Sequence, residues 1–275
     1  MRGRTVLITG ATRGIGLAIA KRVASEGANV VILGKTKDPH PKLPGTVESA
    51  CREVEQLGGR ALGIVCDIRE PEQIENAVAE TVRTFSGIDV LVNNASAIFL
   101  EGTDKTPAKR YDLMHQVNAR GTFFSGQACL PYLKQSKSAH ILTLSPPLDL
   151  RPDYFGPHVA YSIAKFGMSL CTLGWAREFS SYGIAVNSLW PKTIIDTSAV
   201  RNLLGGENVA QRGRSPEIVA DAAHLIVSQA ASFSGQFLID EEVLRVSGLD
   251  DFTKYARCAS DELIYDLFVP ESLAK

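Results

Sequence analysis

A tyrosine and a lysine four positions apart form the first candidate catalytic pair in this 275-residue chain. They are Tyr161 and Lys165 in the run YSIAK, and on a helix residues at this spacing face the same way. A free tyrosine has a pKa of ~10, and a neighbouring ammonium stabilises the phenolate and lowers that pKa. The Tyr161 hydroxyl could therefore give or take a proton while a substrate oxygen changes between carbonyl and alcohol.

A glycine-rich run near the N-terminus predicts a dinucleotide site. The run TGATRGIG follows an apolar segment and leads directly into a helical pattern. Glycines allow the backbone to turn sharply and approach a pyrophosphate, whose charge then lies at the free N–H groups of the helix N-terminus. The predicted contact residues are Gly10, Ala11, Thr12, Arg13, Gly14, Ile15 and Gly16.

Two cations predict that the dinucleotide is NADP rather than NAD. An NAD site carries a carboxylate for the ribose hydroxyls at the end of the second strand, where this chain has Lys35. Lys35 and Arg13 can each offer a 2′-phosphate a charge-assisted hydrogen bond of roughly 1.5 to 3 kcal/mol. The alternative is that both cations are merely solvated, because Lys37 and Lys42 make this loop basic in any case.

The hydrophobic pattern predicts the scaffold that positions these residues. Seven short apolar runs alternate with helical patterns, and no repeat or Gly/Ser/Pro linker interrupts them. This alternation predicts an α/β fold with a doubly wound, seven-stranded parallel sheet, helices on both faces and ligands at the carboxyl ends of the strands. The predicted strands cover residues 5–9, 29–33, 61–66, 89–93, 140–144, 185–190 and 236–240.

Together these motifs resemble the short-chain dehydrogenase/reductase family over nearly the whole chain. The resemblance implies a Rossmann fold in which Tyr161 and Lys165 are the catalytic YxxxK pair. Lys165 would also bond the nicotinamide ribose. Asn118, in the run VNARG, matches the helix asparagine that holds a water beside the catalytic lysine in that family.

The same resemblance implies further cofactor contacts at strand ends. In the run CDI, Asp67 would accept a hydrogen bond from the adenine amino group and Ile68 would pack on the ring. Asn94 lies in NNAS, which is similar to the family's NNAG with Ser96 in place of glycine. Alternatively, Asp67 and Asn94 are turn residues bonded to their own backbone. The remaining implied contacts, after the sixth strand, are Pro191 and Thr193.

The catalytic serine is where this chain departs from the family. Ser145 corresponds to the first serine of the family's triplet, and Pro146 stands where the second, substrate-bonding serine is usual. One alternative is that the longer proline-rich loop directs Ser145 into the site, which makes Ser145 a catalytic candidate. The other is that the hydrogen-bond donor to the substrate oxygen is lost. Losing such a donor would cost roughly 10² to 10³ in turnover and leave cofactor binding intact.

Other departures indicate one branch of the family. They are a longer basic, proline-containing loop after the second strand, the run SPPL in place of the serine turn, and Lys192 in place of a usual glycine. Separately, Glu241 and Glu242 stand where the family's last-strand consensus normally ends in two glycines. Residues 192–214 lie where the family has a mobile substrate lid. Apolar residues near this lid predict a lipid- or steroid-like substrate, although they could equally be core or dimer contacts. They are Ile98, Phe99, Tyr154, Phe155 and Trp190.

We expect residues 1–240 to form one dinucleotide-binding catalytic domain and residues 241–275 to extend it. This extension alternates acidic and aromatic residues, and it would pack on the domain or a neighbouring subunit, or close the site. The family resemblance implies a homodimer or homotetramer built on the long helices predicted at 107–133 and 158–179.

Composition excludes several classes of partner. The 29 Lys and Arg residues balance 30 Asp and Glu residues, so nothing predicts binding to nucleic acid or an anionic membrane. No run approaches the ~18 to 20 apolar residues of a membrane span, and no signal-peptide core is visible, so we expect a cytoplasmic protein. Five cysteines without a CxxC pair or a histidine cluster predict free thiols and no metal.

The sequence thus predicts an NADP(H)-dependent oxidoreductase that interconverts a carbonyl and a secondary alcohol of a small, apolar substrate, with Tyr161 as general acid and base. A second hypothesis is an NADP(H)-binding protein whose catalysis has weakened or lapsed, and which serves as a sensor or assembly partner. Pro146 motivates this alternative.

Overall fold

A computed structural model describes residues 1–39, 44–203 and 205–273, and Lys42 therefore lies outside the described residues. In this part of the chain seven parallel strands form one sheet in the order β3-β2-β1-β4-β5-β6-β7. The predicted α/β fold is confirmed. The strands are β1 Thr5–Thr9, β2 Asn29–Gly34, β3 Arg60–Val65, β4 Val90–Asn93, β5 His140–Leu144, β6 Ala185–Trp190 and β7 Phe237–Ile239.

Helices cover both faces of the sheet. The α-helices of the described residues are α1 Gly14–Ala24, α2 Val47–Gln56, α3 Pro71–Phe85, α4 Ala108–His115, α5 Gly121–Leu133, α6 Pro152–Phe155, α7 Val159–Glu178, α8 Ser198–Leu203, α9 Gly206–Ala210, α10 Glu217–Val227 and α11 Asp240–Val246. Successive strand side chains point to opposite faces, so Val6 and Ile8 enter the core under α1, α2 and α10, whereas Leu7 enters the core under α3, α5 and α7.

The position of β1 determines where a ligand can bind. β1 pairs with β2 on one side and with β4 on the other, so the chain changes direction across the sheet between these neighbours. Doubly wound sheets bind ligands at such a switch point, outside the carboxyl ends of the strands. The loops that follow β1, β2, β3 and β4 therefore surround one crevice.

The predicted helix over residues 107–133 is interrupted. α4 ends at His115, a π-helical turn covers Gln116–Arg120, and α5 begins at Gly121. Such turns replace the regular α-helical hydrogen bonds and occur frequently at functional sites. The turn contains Asn118, which is fully buried.

The last strand is shorter than the predicted segment 236–240. β7 ends at Ile239, and Asp240 begins α11. Asp240 and the two glutamates after it occupy the first turn of α11, where the helix dipole favours negative charge. Asp240 Oδ1 also accepts a hydrogen bond from Lys192 N at 2.9 Å, which ties this helix to the end of β6.

Among the described residues, no helix is long and apolar enough to cross a membrane. The same residues contain no group of three or more His, Cys, Asp or Glu side chains arranged to hold a metal ion. The five cysteines are free thiols.

Candidate active site

A cavity of about 760 Å³ opens at the carboxyl ends of β1, β2, β3 and β4. Ala11 and Gly16 are buried behind its surface. The predicted cofactor contacts that line the cavity are Gly10, Thr12, Arg13, Gly14, Ile15, Lys35, Asp67, Ile68 and Asn94.

The glycine loop is closely packed around Gly16. A Cβ atom at Gly16 would lie 2.5 Å from Asn94 Nδ2 and 2.7 Å from the Gly10 carbonyl oxygen. The Asn94 amide donates to the carbonyl oxygens of Thr9 and Gly10 at 2.9 and 3.1 Å, which fixes the loop to β1. Gly14 begins α1 with φ +57°. The loop thus brings backbone close to the N-terminus of α1, an arrangement that fits a pyrophosphate.

Arg13 extends from the glycine loop toward the loop after β2. Its Nε donates to Pro44 O at 2.8 Å, and its Nη2 donates to Gly45 O at 2.9 Å and to Thr36 Oγ1 at 3.0 Å. No ion pair joins Arg13 to a carboxylate within the described residues, and burial lowers the pKa of its guanidinium. Lys35 is exposed on the same cavity wall. This wall therefore carries two cations that fit an anionic group.

Asp67 is an ion-paired carboxylate just after β3, the strand that pairs with β2. Arg69 Nη2 donates to Asp67 Oδ2 at 2.5 Å, and its Nε donates to both carboxylate oxygens at 2.9 and 3.0 Å. These bonds hold the pKa of Asp67 below its ordinary value. Ile68 lies beside it, nearly buried, on the same cavity wall. The pairing of Asp67 with Arg69 joins residues two positions apart and is an addition to the predicted contacts of Asp67.

α7 carries Tyr161 and Lys165 into a buried position beside β5 and β6. Lys165 Nζ donates to Leu144 O at 2.6 Å and lies 5.0 Å from the centre of the Trp190 ring. Burial lowers the pKa of Lys165 to about 7, and the nearby Asp266 carboxylate opposes this shift. The charge of Asp266, in the C-terminal extension, acts on both members of the predicted pair.

The expected lowering of the Tyr161 pKa is absent in this conformation. Burial raises the pKa of Tyr161 above its ordinary value, and the charge of Asp266 raises it further. The reason is the C-terminal extension, because the Phe268 ring stacks on Tyr161 with 6.2 Å between centroids. Tyr161 is only 5% exposed, and neither it nor Lys165 lines the cofactor cavity.

The Asn118 side chain holds the segment that follows β4. Its Oδ1 accepts from Ala97 N at 2.8 Å, and its Nδ2 donates to Ala97 O at 3.0 Å. Both polar ends of the side chain are thus engaged with backbone. A water held near Lys165 by this turn stays a prediction.

Ser145 lies inside the sheet layer rather than on the cavity wall. It is fully buried, and its Oγ lies 2.8 Å from Ser188 Oγ on β6. Ser188 Oγ in turn donates to Thr172 Oγ1 on α7 at 2.9 Å. Ser145 therefore belongs to a buried hydroxyl chain, and the structure does not bring it together with the cofactor contacts.

The apolar residues predicted for the substrate pocket form one cluster around Tyr161. The C-terminal extension adds Phe268 to this cluster, with its ring packed edge-on against Phe166 at 5.4 Å. The predicted members found there are Ile98, Phe99, Tyr154, Phe155 and Trp190.

Sequence reasoning missed two hydroxyl residues in the predicted lid. Thr197 and Ser198 line the cofactor cavity, and a Cβ at Gly14 would lie 3.3 Å from Thr197 Cγ2. Adjacent Thr and Ser residues at the start of a helix were the available signal. Pro191 and Thr193 lie outside the cavity lining, and Thr193 Oγ1 is buried without a hydrogen-bond partner among the described residues.

Two departures from the family pattern prove to be ion-pair partners. Lys192 Nζ lies 3.4 Å from Glu241 Oε1. Arg214 Nη1 and Arg245 Nη2 also contact the Glu241 carboxylate at 2.6 and 2.7 Å. The three cations together compensate the charge of the buried Glu241 carboxylate. The network joins the end of β6 to α11.

Comparison with known proteins agrees with this architecture. A family model described as short chain dehydrogenase matches residues 4–207. Hydroxysteroid dehydrogenase-like protein 2 of Danio rerio is 53% identical over 278 residues, which cover 100% of this chain and 66% of the relative. The protein of the same name from Homo sapiens is 51% identical over 278 residues, with the same coverage. This chain thus spans about two thirds of the length of these relatives.

A solved structure from Xanthomonas campestris, described as a dehydrogenase, is 55% identical and matches with a TM-score of 0.94 over 98% of both chains. These similarities confirm the family and the branch that the sequence departures indicated. The family consists of oxidoreductases that bind a nicotinamide cofactor. The chain belongs to the short-chain dehydrogenase family.

Proposed function

We propose that the chain is an NADP(H)-dependent oxidoreductase that interconverts a carbonyl and a secondary alcohol, with Tyr161 as general acid and base. The observation that carries this proposal is the arrangement of Tyr161 and Lys165 on α7, next to a cleft built for a dinucleotide. Lys165 Nζ lies only 2.6 Å from Leu144 O, at the end of β5. The pair thus stands at the same strand edge as the cleft.

Arg13 and Lys35 support NADP as the cofactor. Neither cation is joined by an ion pair to a carboxylate within the described residues, and both line the cavity. A 2′-phosphate would supply the missing negative charge and accept charge-assisted hydrogen bonds. We also propose Pro191, Thr193, Thr197 and Ser198 as contacts of the cofactor beyond its adenine half.

The chemistry follows from the roles of the chain's own residues. NADPH supplies the hydride when it is bound. Tyr161 gives its hydroxyl proton to the developing alkoxide in reduction and takes it back in oxidation. Lys165, in its protonated form, stabilises the phenolate that remains. The apolar cluster around Tyr161 excludes water and favours an apolar, lipid- or steroid-like substrate. We also propose that the chain forms a homodimer or homotetramer in the cytoplasm.

One observation favours the second hypothesis, an NADP(H)-binding protein without effective catalysis. The Ser145 hydroxyl is engaged with Ser188 inside the sheet layer, and Pro146 has no side-chain donor. A substrate oxygen would then be bonded by Tyr161 without the serine that the family uses. This hypothesis requires cofactor binding to be retained while turnover is very low.

The test is NADPH oxidation by the purified chain with a panel of apolar ketones, aldehydes and enones. Tyr161→Phe should lower the rate by about 10² to 10⁴ and leave NADPH binding intact. The control is Tyr182→Phe, which removes the hydroxyl of an exposed tyrosine outside the cluster and should keep the wild-type rate. Tight NADPH binding without turnover of any panel member would support the second hypothesis. Absence of NADPH binding would contradict both hypotheses.

A further inference from the structure

The C-terminal extension passes directly over the catalytic tyrosine. The Phe268 ring lies at 23° to the Tyr161 ring, with 6.2 Å between centroids. It also packs edge-on against Tyr154 at 5.8 Å and lies 5.9 Å from the Trp190 ring. Phe268 is only 3% exposed, so it fills the space between these rings. The apolar group of a substrate would need the same space to reach Tyr161.

Backbone hydrogen bonds anchor this part of the extension to the edge of the active site. Tyr265 forms an antiparallel bridge with Thr193, directly after β6. The anchoring bonds are Ile194 N to Ile264 O at 2.9 Å, Asp266 N to Lys192 O at 3.0 Å, Trp190 Nε1 to Leu267 O at 2.5 Å and Tyr154 Oη to Val269 O at 2.6 Å.

Phe268 adopts a backbone conformation that a non-glycine residue rarely holds. Its φ is +66°, in the left-handed region, where the Cβ atom of a large residue is crowded. Such strain persists only where surrounding contacts enforce it, and it occurs preferentially at switch segments and ligand clamps. The ring packing on Tyr161 and Trp190 provides that enforcement here.

The extension also places a carboxylate beside the catalytic pair. Asp266 is partly buried, its Oδ1 accepts from Leu267 N at 2.6 Å, and its charge acts on both Tyr161 and Lys165. Burial raises the pKa of Asp266 to about 7, and its charged form disfavours the phenolate form of Tyr161. Because the Phe268 ring also covers Tyr161, the closed site is a resting arrangement.

We propose that residues 264–269 form a tail strap that occupies the substrate side of the active site and is displaced by the substrate. This inference rests on the proposed function. Phe268 stands in for the substrate group that lies on Tyr161, so the preferred substrate presents an apolar, ring-sized group next to its carbonyl. The strap does not line the cofactor cavity, so NADP(H) binds while the strap is closed.

The flanks of the tail strap are suited to its release. Residues 259–262 before it are exposed, and after it the exposed Glu271 is joined to Arg151 by an ion pair at 2.8 Å. Exposed ion pairs contribute little to stability, so the strap can detach without unfolding of the sheet. The buried Phe268 ring and the hydrogen bonds described above hold the closed strap in place.

The test compares the full chain with Phe268→Ala and with Tyr265→Ala, which removes an exposed ring from the same strap. Hydrogen exchange of the strap amides, NADPH affinity and kcat/KM for cyclohexanone are measured for each. Phe268→Ala should speed exchange and raise kcat/KM by about fivefold or more, since a larger fraction of the protein is open, with NADPH affinity unchanged. Tyr265→Ala should match wild type in all three measurements. Unchanged exchange of the strap amides overturns the strap, and so does faster exchange without faster turnover in a protein whose wild type reduces cyclohexanone.

A second measurement separates failure of the strap from failure of the proposed function. Wild-type protein is given NADP⁺ with cyclohexanone, a combination that cannot react, and with pyruvate as a charged control. Cyclohexanone should speed exchange of the strap amides, and pyruvate should not. This result supports the strap even if no variant turns over a ketone, in which case the proposed function alone is lost. No response to cyclohexanone overturns the strap even in an active enzyme.

Discussion

The Phe268 ring lies nearly parallel to the Tyr161 ring, although the two residues are far apart along the chain. The contact joins the C-terminal extension to α7 and covers Tyr161, which does not line the cavity at the ends of β1 to β4. It also explains why the pKa of Tyr161 is raised, since burial and the adjacent Asp266 both disfavour the phenolate. The residues that cover Tyr161 are therefore different from those that line the cavity.

Loss of either cation at the cavity wall should reduce the preference for NADPH over NADH. A charge-assisted bond to phosphate contributes roughly 1.5 to 3 kcal/mol, so Arg13→Ala and Lys35→Ala should each lower the affinity ratio by about tenfold or more. Lys37→Ala is the control, because Lys37 is exposed and does not line the cavity. Titration of both cofactors followed by fluorescence measures the ratio. An unchanged ratio in both variants would refute the 2′-phosphate interpretation.

Gly16→Ala should damage the dinucleotide loop. The added Cβ would lie 2.5 Å from Asn94 Nδ2, so the amide must move from the carbonyl oxygens that it bonds. Overpacking of this kind costs about 1 to 3 kcal/mol, and cofactor affinity should fall with stability. Gly174→Ala is the matched control, since nothing lies within 4 Å of its Cβ and alanine in α7 should stabilise by about 1 kcal/mol. Urea unfolding and NADPH titration compare the two variants. Equal free energies of unfolding and equal NADPH affinities would contradict this prediction.

Ser145→Ala should act on stability more than on catalysis. The lost bond to Ser188 should cost about 0.5 to 1.5 kcal/mol in the free energy of unfolding, and Ser188→Ala should cost a similar amount. Turnover of Ser145→Ala should stay within about tenfold of wild type, because the hydroxyl lies inside the sheet layer. A loss of about 10² to 10³ in kcat would instead show that Ser145 bonds the substrate oxygen.

His140 should make the fold sensitive to mild acid. Burial, and then the charge of Arg4, lower its pKa from 6.5 to about 4, so the folded state keeps the imidazole neutral. Below pH 6.5 the unfolded state binds a proton that the folded state does not, and stability falls until about pH 4. The free energy of unfolding therefore falls by about 3 kcal/mol in total, since a difference of one pKa unit corresponds to about 1.36 kcal/mol. Urea unfolding between pH 7.5 and 4 measures this loss, which should be smaller for His140→Gln than for wild type. If the free energy of unfolding depends on pH in the same way in both proteins, His140 is not the cause of the acid sensitivity.

The local features of the site could be predicted from the sequence. The apolar runs around Leu7 and Ile141 are strands because β-branched and aliphatic residues pack well on a sheet that is buried on both faces. The turn at Gly10 and the four-residue spacing of Tyr161 and Lys165 are likewise properties of a few neighbouring residues. The predicted strand end at Asp240 is one residue too late, because an acidic residue there begins α11.

Which distant groups meet was decided only by the tertiary structure. The sequence assigns Ser145 a hydroxyl but not its partner on β6, and it shows Lys192 and Glu241 as separate departures from the family pattern rather than as an ion pair. Likewise, the alternating acidic and aromatic residues of the extension say nothing about Phe268 lying on Tyr161. Hydrophobic burial is non-directional, so a pattern determines which side chains leave water but not which of them pack together. That choice depends on how the whole chain closes around the sheet.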